Sequence, residues 1–297
     1  IKKIFFIHTI GTAGGDFTFY LQHLYNPSRF ICAPDVKANC KINNPLDRAK
    51  YIEDTLKEEY DYRTKKGDQI DLIYGHIPYL EEYKDLYDKE FKLMTLVRNP
   101  VKRFVTHYRK YIYKNNSLKE FKNFIEDLTY FKKDMPRDAN YMNFNLQTAF
   151  ISGFNHHGTC HQAMTEETLN TAKKNICEFF FTGVADYFDE SVKLFSKITD
   201  KKYIYLKPLN KYKGKNKITI DPDILKFIEE KSYYDFALYN YSKKRFFDQV
   251  EVYKNKKLIN PSRFDNLISF PKKRLDLNYC KIKIKMKNYL FGKNIHI

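Results

Sequence analysis

The sequence predicts an α/β protein in which helices flank a parallel β-sheet, followed by a short basic C-terminal extension. Short apolar segments alternate with segments of helical periodicity, and the first apolar segment runs through a glycine-rich turn into a helix. With 297 residues, 43% of them hydrophobic, the chain can form one large domain and an appendage. We place the domain at residues 1–247 and the extension, of unknown role, at 248–297.

The apolar segments predict the strands in order, at residues 4–8, 71–74, 92–97, 179–183 and 202–206. Helical spacing predicts helices at residues 17–25, from Val101 onward, and at 166–177, 188–198 and 223–236. Asp221 and Pro222 suit the start of the last helix. From about Asp248, alternating segments such as Lys-Ile-Lys-Ile-Lys at 281–285 predict a β-like extension.

The charge of the chain is strongly positive. Lys and Arg number 53 against 36 Asp and Glu, a formal net charge of +17. This excess favours encounter with phosphates, acidic glycans, nucleic acid or anionic lipid. A codon bias toward Lys, Asn, Ile and Tyr explains the same excess equally well, since the chain has 25 Tyr and no Trp.

Cysteine usage and hydropathy indicate a cytoplasmic protein. The five cysteines include no CxxC pair, and an odd number cannot all pair within one chain, so a reducing compartment is expected. No apolar run approaches the roughly 20 residues of a membrane span, and the opening resembles a strand more than a signal peptide. Because the sequence begins at Ile1, an omitted N-terminal anchor, and with it membrane association, stays an alternative.

One group of residues has the composition of a metal site without its spacing. All its members, His156, His157, Cys160 and His161, fall within six residues, which matches no standard four-ligand zinc site. We therefore predict an exposed loop there and expect no metal.

The first candidate site is the turn between the first strand and the first helix. Its glycines let backbone N–H groups approach an anion closely, and the helix N-terminus adds its positive dipole end. Thr12 adds a hydroxyl group. A Walker loop would end in Gly-Lys-Ser/Thr, which is missing, so the turn is P-loop-like without being that of an ordinary nucleoside triphosphatase. The alternative is a purely structural turn. The predicted ligands are Gly11, Thr12, Ala13, Gly14, Gly15 and Asp16.

The second candidate site follows the strand predicted at 92–97. Arg98 can direct two N–H donors at a phosphate, and Thr106, two helical turns later, can present a hydroxyl on the same side. The alternative is that Arg98 pairs with a carboxylate of the fold, while Lys102 and Arg103 belong to a solvated face.

These segments resemble the sulfotransferases that use 3′-phosphoadenosine 5′-phosphosulfate (PAPS). Residues 6–14 are similar to the family's F-I-H-x-P-K-T-A-G, and residues 98–108 to its R-D-P-x-x-R-F-x-S-x-Y, with Thr106 where Ser is usual. Weaker similarities, to G-H-x-P-Y, N-L-Q-T-R-F-L-S-G, V-G-L-T-E and D-x-x-L-Y, occur at 75–79, 145–153, 182–186 and 235–239. The resemblance spans about residues 4–247 and indicates the carbohydrate and bacterial branch.

The resemblance implies a role for each candidate residue. The loop of residues 11–16 would hold the 5′-phosphosulfate of PAPS, and Arg98 with Thr106 the 3′-phosphate. His76 would face the acceptor hydroxyl and serve as its base, the alternative being a histidine packed beside Pro78. The expected acceptor is an acidic glycan or glycolipid, with peripheral membrane contact as an alternative and no specific nucleic acid.

One departure from the family affects catalysis. Gly11 replaces the lysine that neutralises the leaving oxygen, a loss that typically costs about a hundred- to a thousandfold in rate. Lys102, Arg103, Lys211, Lys213 and Lys215 are candidate substitutes, and Gly11→Lys is predicted to raise transfer. The alternatives are a relative that binds PAPS, its desulfated product or an anionic glycan without turnover, and a nucleic-acid or anionic-membrane binding protein.

Overall fold

The computed structural model describes residues 3–33, 45–79, 91–115, 144–153, 164–205 and 220–259. Its central feature is a five-stranded sheet with the order β2-β3-β1-β4-β5, in which every pair of neighbours is parallel. The strands are β1 Lys3–Ile7, β2 Phe30–Cys32, β3 Leu72–Gly75, β4 Phe91–Val97 and β5 Phe181–Val184. This sheet confirms the predicted fold class.

Helices connect and flank the strands. They are α1 Gly14–Leu24, α2 Pro45–Lys65, α3 Pro100–Asn115, α4 Leu146–Ser152, α5 Glu166–Glu178, α6 Phe188–Thr199, α7 Pro222–Lys231 and α8 Tyr233–Val252. Two short 3₁₀ turns lie at Pro27–Arg29 and Ala185–Tyr187. As predicted, Asp221 caps α7, because its side chain accepts a hydrogen bond of 2.8 Å from the backbone N–H of Asp223.

The core surrounds the central strand. Four consecutive residues of β1, from Ile4 to Ile7, are fully buried, which explains why the strand appears as one continuous apolar run. On one face of the sheet, Phe17 of α1 packs against Phe181 of β5 and Phe195 of α6 at ring-centroid distances of 5.9 and 5.6 Å. These contacts pack α1 against β5 and α6.

Two predicted elements differ from the structure. Over its described residues 202–205, the segment expected to be a strand at 202–206 has a single parallel bridge, between Lys202 and Ile259, because it meets the residues that follow α8 and not a strand of the sheet. The helix expected at 223–236 is two helices, interrupted at Ser232, where φ is −102° and ψ is 26°.

The predicted domain boundary falls inside a helix. Helix α8 continues through Asp248 to Val252, so the β-like pattern does not begin at residue 248. The Lys-Ile repeat at 281–285 lies outside the described residues.

Candidate functional site

The strand order brings the predicted site residues to one edge of the sheet. Strand β1 lies between β3 and β4, and all three run in the same direction. The glycine-rich turn follows β1, His76 follows β3 and Arg98 follows β4. Carboxyl ends of parallel strands at a change in strand order form the usual ligand crevice of an open α/β sheet.

The turn after β1 has two residues in the left-handed region. Gly11 has φ +84° and Ala13 has φ +60°, and the hydroxyl of Thr12 donates to the carbonyl of Thr9 at 2.7 Å. Gly14 and Gly15 start α1, so their N–H groups have no carbonyl one turn earlier in the helix. The turn therefore has the backbone geometry for holding an anion.

Gly14 is required for close packing at this turn. A Cβ atom on Gly14 would overlap the imidazole ring of His8, which stacks on Phe6 at a ring-centroid distance of 5.6 Å. The start of α1 thus rests directly on a histidine at the end of β1.

Arg98 joins the turn after β4 to the turn after β1. Its Nη1 donates to the carbonyl oxygen of Gly11 at 3.1 Å, while its Nε is buried and has no hydrogen-bond partner in the described part of the chain. Burial lowers the pKa of the Arg98 guanidinium, and the Asp186 carboxylate raises it in part. A buried guanidinium N–H that lacks an acceptor suits a phosphate oxygen.

The two candidate sites lie next to each other, and their roles in holding two phosphates stay predictions. The bond between Arg98 and Gly11 makes the two turns a single unit. The hydroxyl proton of Thr106 is engaged within α3, where it is donated to the carbonyl of Lys102 at 3.0 Å. Thr106 would have to rotate this proton away to donate to a ligand.

Asp16 lies in the first turn of α1, close enough to Arg98 for its charge to raise the pKa of the guanidinium, against the larger lowering by burial. The Asp16 carboxylate would repel a phosphate and is a counter-charge for Arg98, while the Asp16 N–H donates to the carbonyl of Ala13 at 3.1 Å; its role as a ligand stays a prediction.

The backbone of Arg98 is held by an amide side chain from α4. The Arg98 N–H donates to Oε1 of Gln147 at 2.7 Å, and Nε2 of Gln147 donates to the Arg98 carbonyl at 2.9 Å. This two-point contact fixes both sides of one peptide residue. It gives a physical role to the segment at 145–153, whose Gln147 lies 49 residues from Arg98 along the chain.

Two carboxylates complete this support. Asp235 of α8 accepts hydrogen bonds from the backbone N–H groups of Gln147 and Thr148 at 3.2 and 2.8 Å, at the start of α4. Asp186 accepts one of 2.8 Å from the N–H of Asn99, next to Arg98. Burial raises the pKa of Tyr239, and the nearby Asp186 charge raises it further. The segments at 182–186 and 235–239 therefore stabilise the Arg98 turn.

His76 is oriented by the backbone of β1. Its Nδ1 lies 3.0 Å from the carbonyl oxygen of His8, and the two imidazole rings are tilted at a centroid distance of 4.2 Å. Because a carbonyl oxygen only accepts, Nδ1 must carry the proton, and the basic nitrogen of the neutral ring is then Nε2. The ring thus has the tautomer that a general base at Nε2 requires.

The space beside Gly11 is filled by α3. A Cβ atom on Gly11 would overlap the ring of His107 and lie 2.9 Å from Cγ of Arg103. The sequence prediction that Gly11→Lys places an ammonium at a leaving oxygen is therefore not supported, because the lysine side chain would start inside another residue.

The residues proposed to substitute for the missing lysine differ in exposure and in ion pairing. Lys102 is 61% exposed and pairs with Asp186 at 3.0 Å. Arg103 is fully buried, with Nη2 3.9 Å from Oδ2 of the equally buried Asp235. The remaining candidates, Lys211, Lys213 and Lys215, lie outside the described residues. The ring of His107, a residue outside every predicted role, lies at the position that a Cβ atom on Gly11 would take.

Within the described ranges, no group of three or more His, Cys, Asp or Glu residues could hold a metal ion. The cluster at 156–161 lies outside them. No helix in these ranges is both long and apolar enough to span a membrane.

Sequence reasoning missed the supporting residues of this site. Gln147 contacts Arg98, and Asp235 binds the start of the helix that carries Gln147, both across long sequence separations. The only sign of these roles in the sequence was the similarity of the two segments to motifs of the sulfotransferase family. His8 was part of a quoted motif, but its stacking on His76 depends on the pairing of β1 with β3.

Comparison with known proteins adds a distant similarity to solved structures. No protein-family model matches the sequence, and a search of curated proteins returned no match. Among solved structures, the chain is similar to the crystal structure of a sulfotransferase from Alicyclobacillus acidocaldarius, with 13% sequence identity and a TM-score of 0.47. The match covers 81% of this chain and 95% of that chain.

Proposed function

We propose that the protein is a sulfotransferase that moves a sulfuryl group from PAPS to a hydroxyl of a glycan or glycoconjugate. The observation that carries this proposal is the contact between Arg98 and the carbonyl of Gly11, which joins the glycine-rich turn to a buried guanidinium. His76 lies at the same edge of the sheet, with its Nδ1 proton directed to His8. The net charge of +17 supports an acidic glycan as the acceptor.

Each group of site residues has a role that follows from its chemistry. The N–H groups at the start of α1 and the Nε of Arg98 would hold the two phosphate ends of the donor, which supplies the sulfuryl group when bound. His76 would take the acceptor proton at Nε2 as the acceptor oxygen bonds to sulfur and adenosine 3′,5′-bisphosphate leaves. Gln147 would keep the Arg98 backbone in place during this step.

A second candidate function is binding of the same nucleotide without turnover. The specific observation in its favour is the position of His107, which fills the space beside Gly11. A catalysed transfer would then need its positive charge from another side chain. Incubation with PAPS and a set of polysaccharides, followed by measurement of adenosine 3′,5′-bisphosphate release, separates the two functions. Binding of the bisphosphate with no release from PAPS would favour the second.

The first prediction concerns Arg98. Arg98→Gln should weaken adenosine 3′,5′-bisphosphate by about tenfold to a hundredfold, because a hydrogen bond to a charged group contributes about 1.5–3 kcal/mol. Adenosine 5′-monophosphate should lose less than about threefold, since it lacks the 3′-phosphate. Isothermal titration calorimetry gives both dissociation constants. Equal losses for the two nucleotides would show that Arg98 serves the loop or the 5′-phosphate instead.

The second prediction concerns His76. His76→Ala should lower sulfuryl transfer by about a hundredfold or more, since a general base typically contributes 10²–10⁴-fold. The affinity for adenosine 3′,5′-bisphosphate should stay within about twofold. His23→Ala is the matched control, because His23 is an exposed histidine of α1 that contacts the carbonyl of Phe19. A transfer rate unchanged by His76→Ala would remove His76 as the base.

A further inference from the structure

We propose that Arg109 of α3 is a second arginine of the phosphate site and binds the 3′-phosphate of the nucleotide together with Arg98. This inference deepens the proposed function and rests on it. No motif of the sequence includes Arg109, and the resemblance at 98–108 ends one residue before it.

The position of Arg109 on α3 directs it toward Arg98. One face of this helix carries Lys102, Thr106 four residues later, and Arg109 three residues after that. The near end of this face is fixed at the Arg98 turn, because Lys102 pairs with Asp186, which also accepts the N–H of Asn99. Helical side chains lean toward the N-terminus, so Arg109 extends back along this face toward the end of β4.

Both arginines have a buried donor that lacks an acceptor. The Nε atoms of Arg98 and Arg109 are each shielded from solvent, and neither has a hydrogen-bond partner among the described residues. Buried N–H groups are nearly always hydrogen-bonded in folded proteins, and leaving one unsatisfied is unfavourable. Two such groups on the same side of one turn are explained if a ligand with several acceptor oxygens joins them.

The charges around Arg98 agree with this explanation. Burial lowers the pKa of Arg98, and the positive charge of Arg109 lowers it further, so the two guanidinium groups are close enough to repel each other. Asp186 and Asp16 raise this pKa in part, but Asp186 already pairs with Lys102. A phosphate monoester carries close to two negative charges and three acceptor oxygens, which matches two guanidinium groups.

Calorimetry with two nucleotides tests the proposal on the whole chain. Arg109→Gln should weaken adenosine 3′,5′-bisphosphate by about tenfold or more and adenosine 5′-monophosphate by less than threefold. Arg109→Lys keeps the charge but not the planar donor geometry, so it should recover only part of the affinity. Arg245→Gln is the matched control, because Arg245 binds the carbonyl of Cys177, in α5, away from this turn. It should leave both dissociation constants unchanged.

The possible outcomes separate the two proposals. If the parent protein binds the bisphosphate and both Arg109 variants bind it equally well, or lose both nucleotides equally, Arg109 has no role at the 3′-phosphate and the proposed function stands. If the parent does not bind the bisphosphate, the proposed function and this inference both fall. Should Arg109→Gln fail to fold in a denaturation experiment, Arg109→Lys decides the question alone.

Discussion

Gly11→Lys is expected to destabilise the protein by about 2–5 kcal/mol and to give no gain in sulfuryl transfer. Gly11 has φ +84°, where a residue with a side chain costs about 1–2 kcal/mol. The new Cβ would also overlap the ring of His107 and crowd Arg103, and overpacking of this kind costs about 1–3 kcal/mol. The two costs add because they arise from separate causes.

Gly67→Lys is the matched control for this variant. Gly67 has φ +80°, and nothing lies within 4 Å of the position of its Cβ, so only the backbone cost of about 1–2 kcal/mol applies. Urea denaturation measures both free energies of unfolding. Equal losses for the two variants would show that His107 moves aside at no cost in stability. A folded Gly11→Lys protein with faster transfer would show that a lysine at residue 11 does reach the leaving oxygen.

Asp235→Asn is expected to lower the free energy of unfolding by about 3–5 kcal/mol. The Asp235 carboxylate is fully buried and lies 3.9 Å from the equally buried guanidinium of Arg103. Removing its charge takes the Asp235 counter-charge away from that buried cation. The Asn NH₂ group would also face N–H donors, because both carboxylate oxygens of Asp235 accept from Gln147 or Thr148.

Asp200→Asn is the control for an exposed ion pair. Asp200 is 66% exposed and pairs with Lys256 at 2.8 Å, so its loss should cost less than about 1 kcal/mol. Asparagine also tolerates its left-handed backbone, with φ 55°. Chemical denaturation gives both values. A cost for Asp235→Asn as small as that of Asp200→Asn would mean that the buried carboxylate does not hold Arg103 and α4 in place.

The sequence predicted those parts of the site that are set by neighbouring residues. The continuous apolar run of β1 and the glycines that follow it predict a strand, a turn and a helix, and the structure has all three. The apolar run before Arg98 likewise places this residue at a strand end. Because parallel strands share one carboxyl edge, these two local predictions were enough to bring Gly11 and Arg98 to the same crevice.

The parts that were missed depend on packing between distant segments. Helix α2 lies in a strongly polar stretch, so apolar periodicity gave little sign of it. The overlap that excludes a side chain at Gly11 arises from the position of α3 against the turn, which no local pattern encodes. The hydrogen bond from Gln147 to Arg98 joins residues that are 49 positions apart in the sequence. The motif at 145–153 contains Gln147, but the sequence alone gave that motif no role.

The dependence of the Arg98 turn on Asp235 has a consequence for how the protein acquires its site during synthesis. When the ribosome has reached residue 205, the chain already contains the glycine-rich turn, His76, Arg98 and Gln147. It still lacks the carboxylate that binds the start of α4 and compensates the Arg103 charge. We therefore expect the crevice to become ordered only after α8 has left the exit tunnel, because shorter nascent chains contain the turns without the carboxylate that fixes α4.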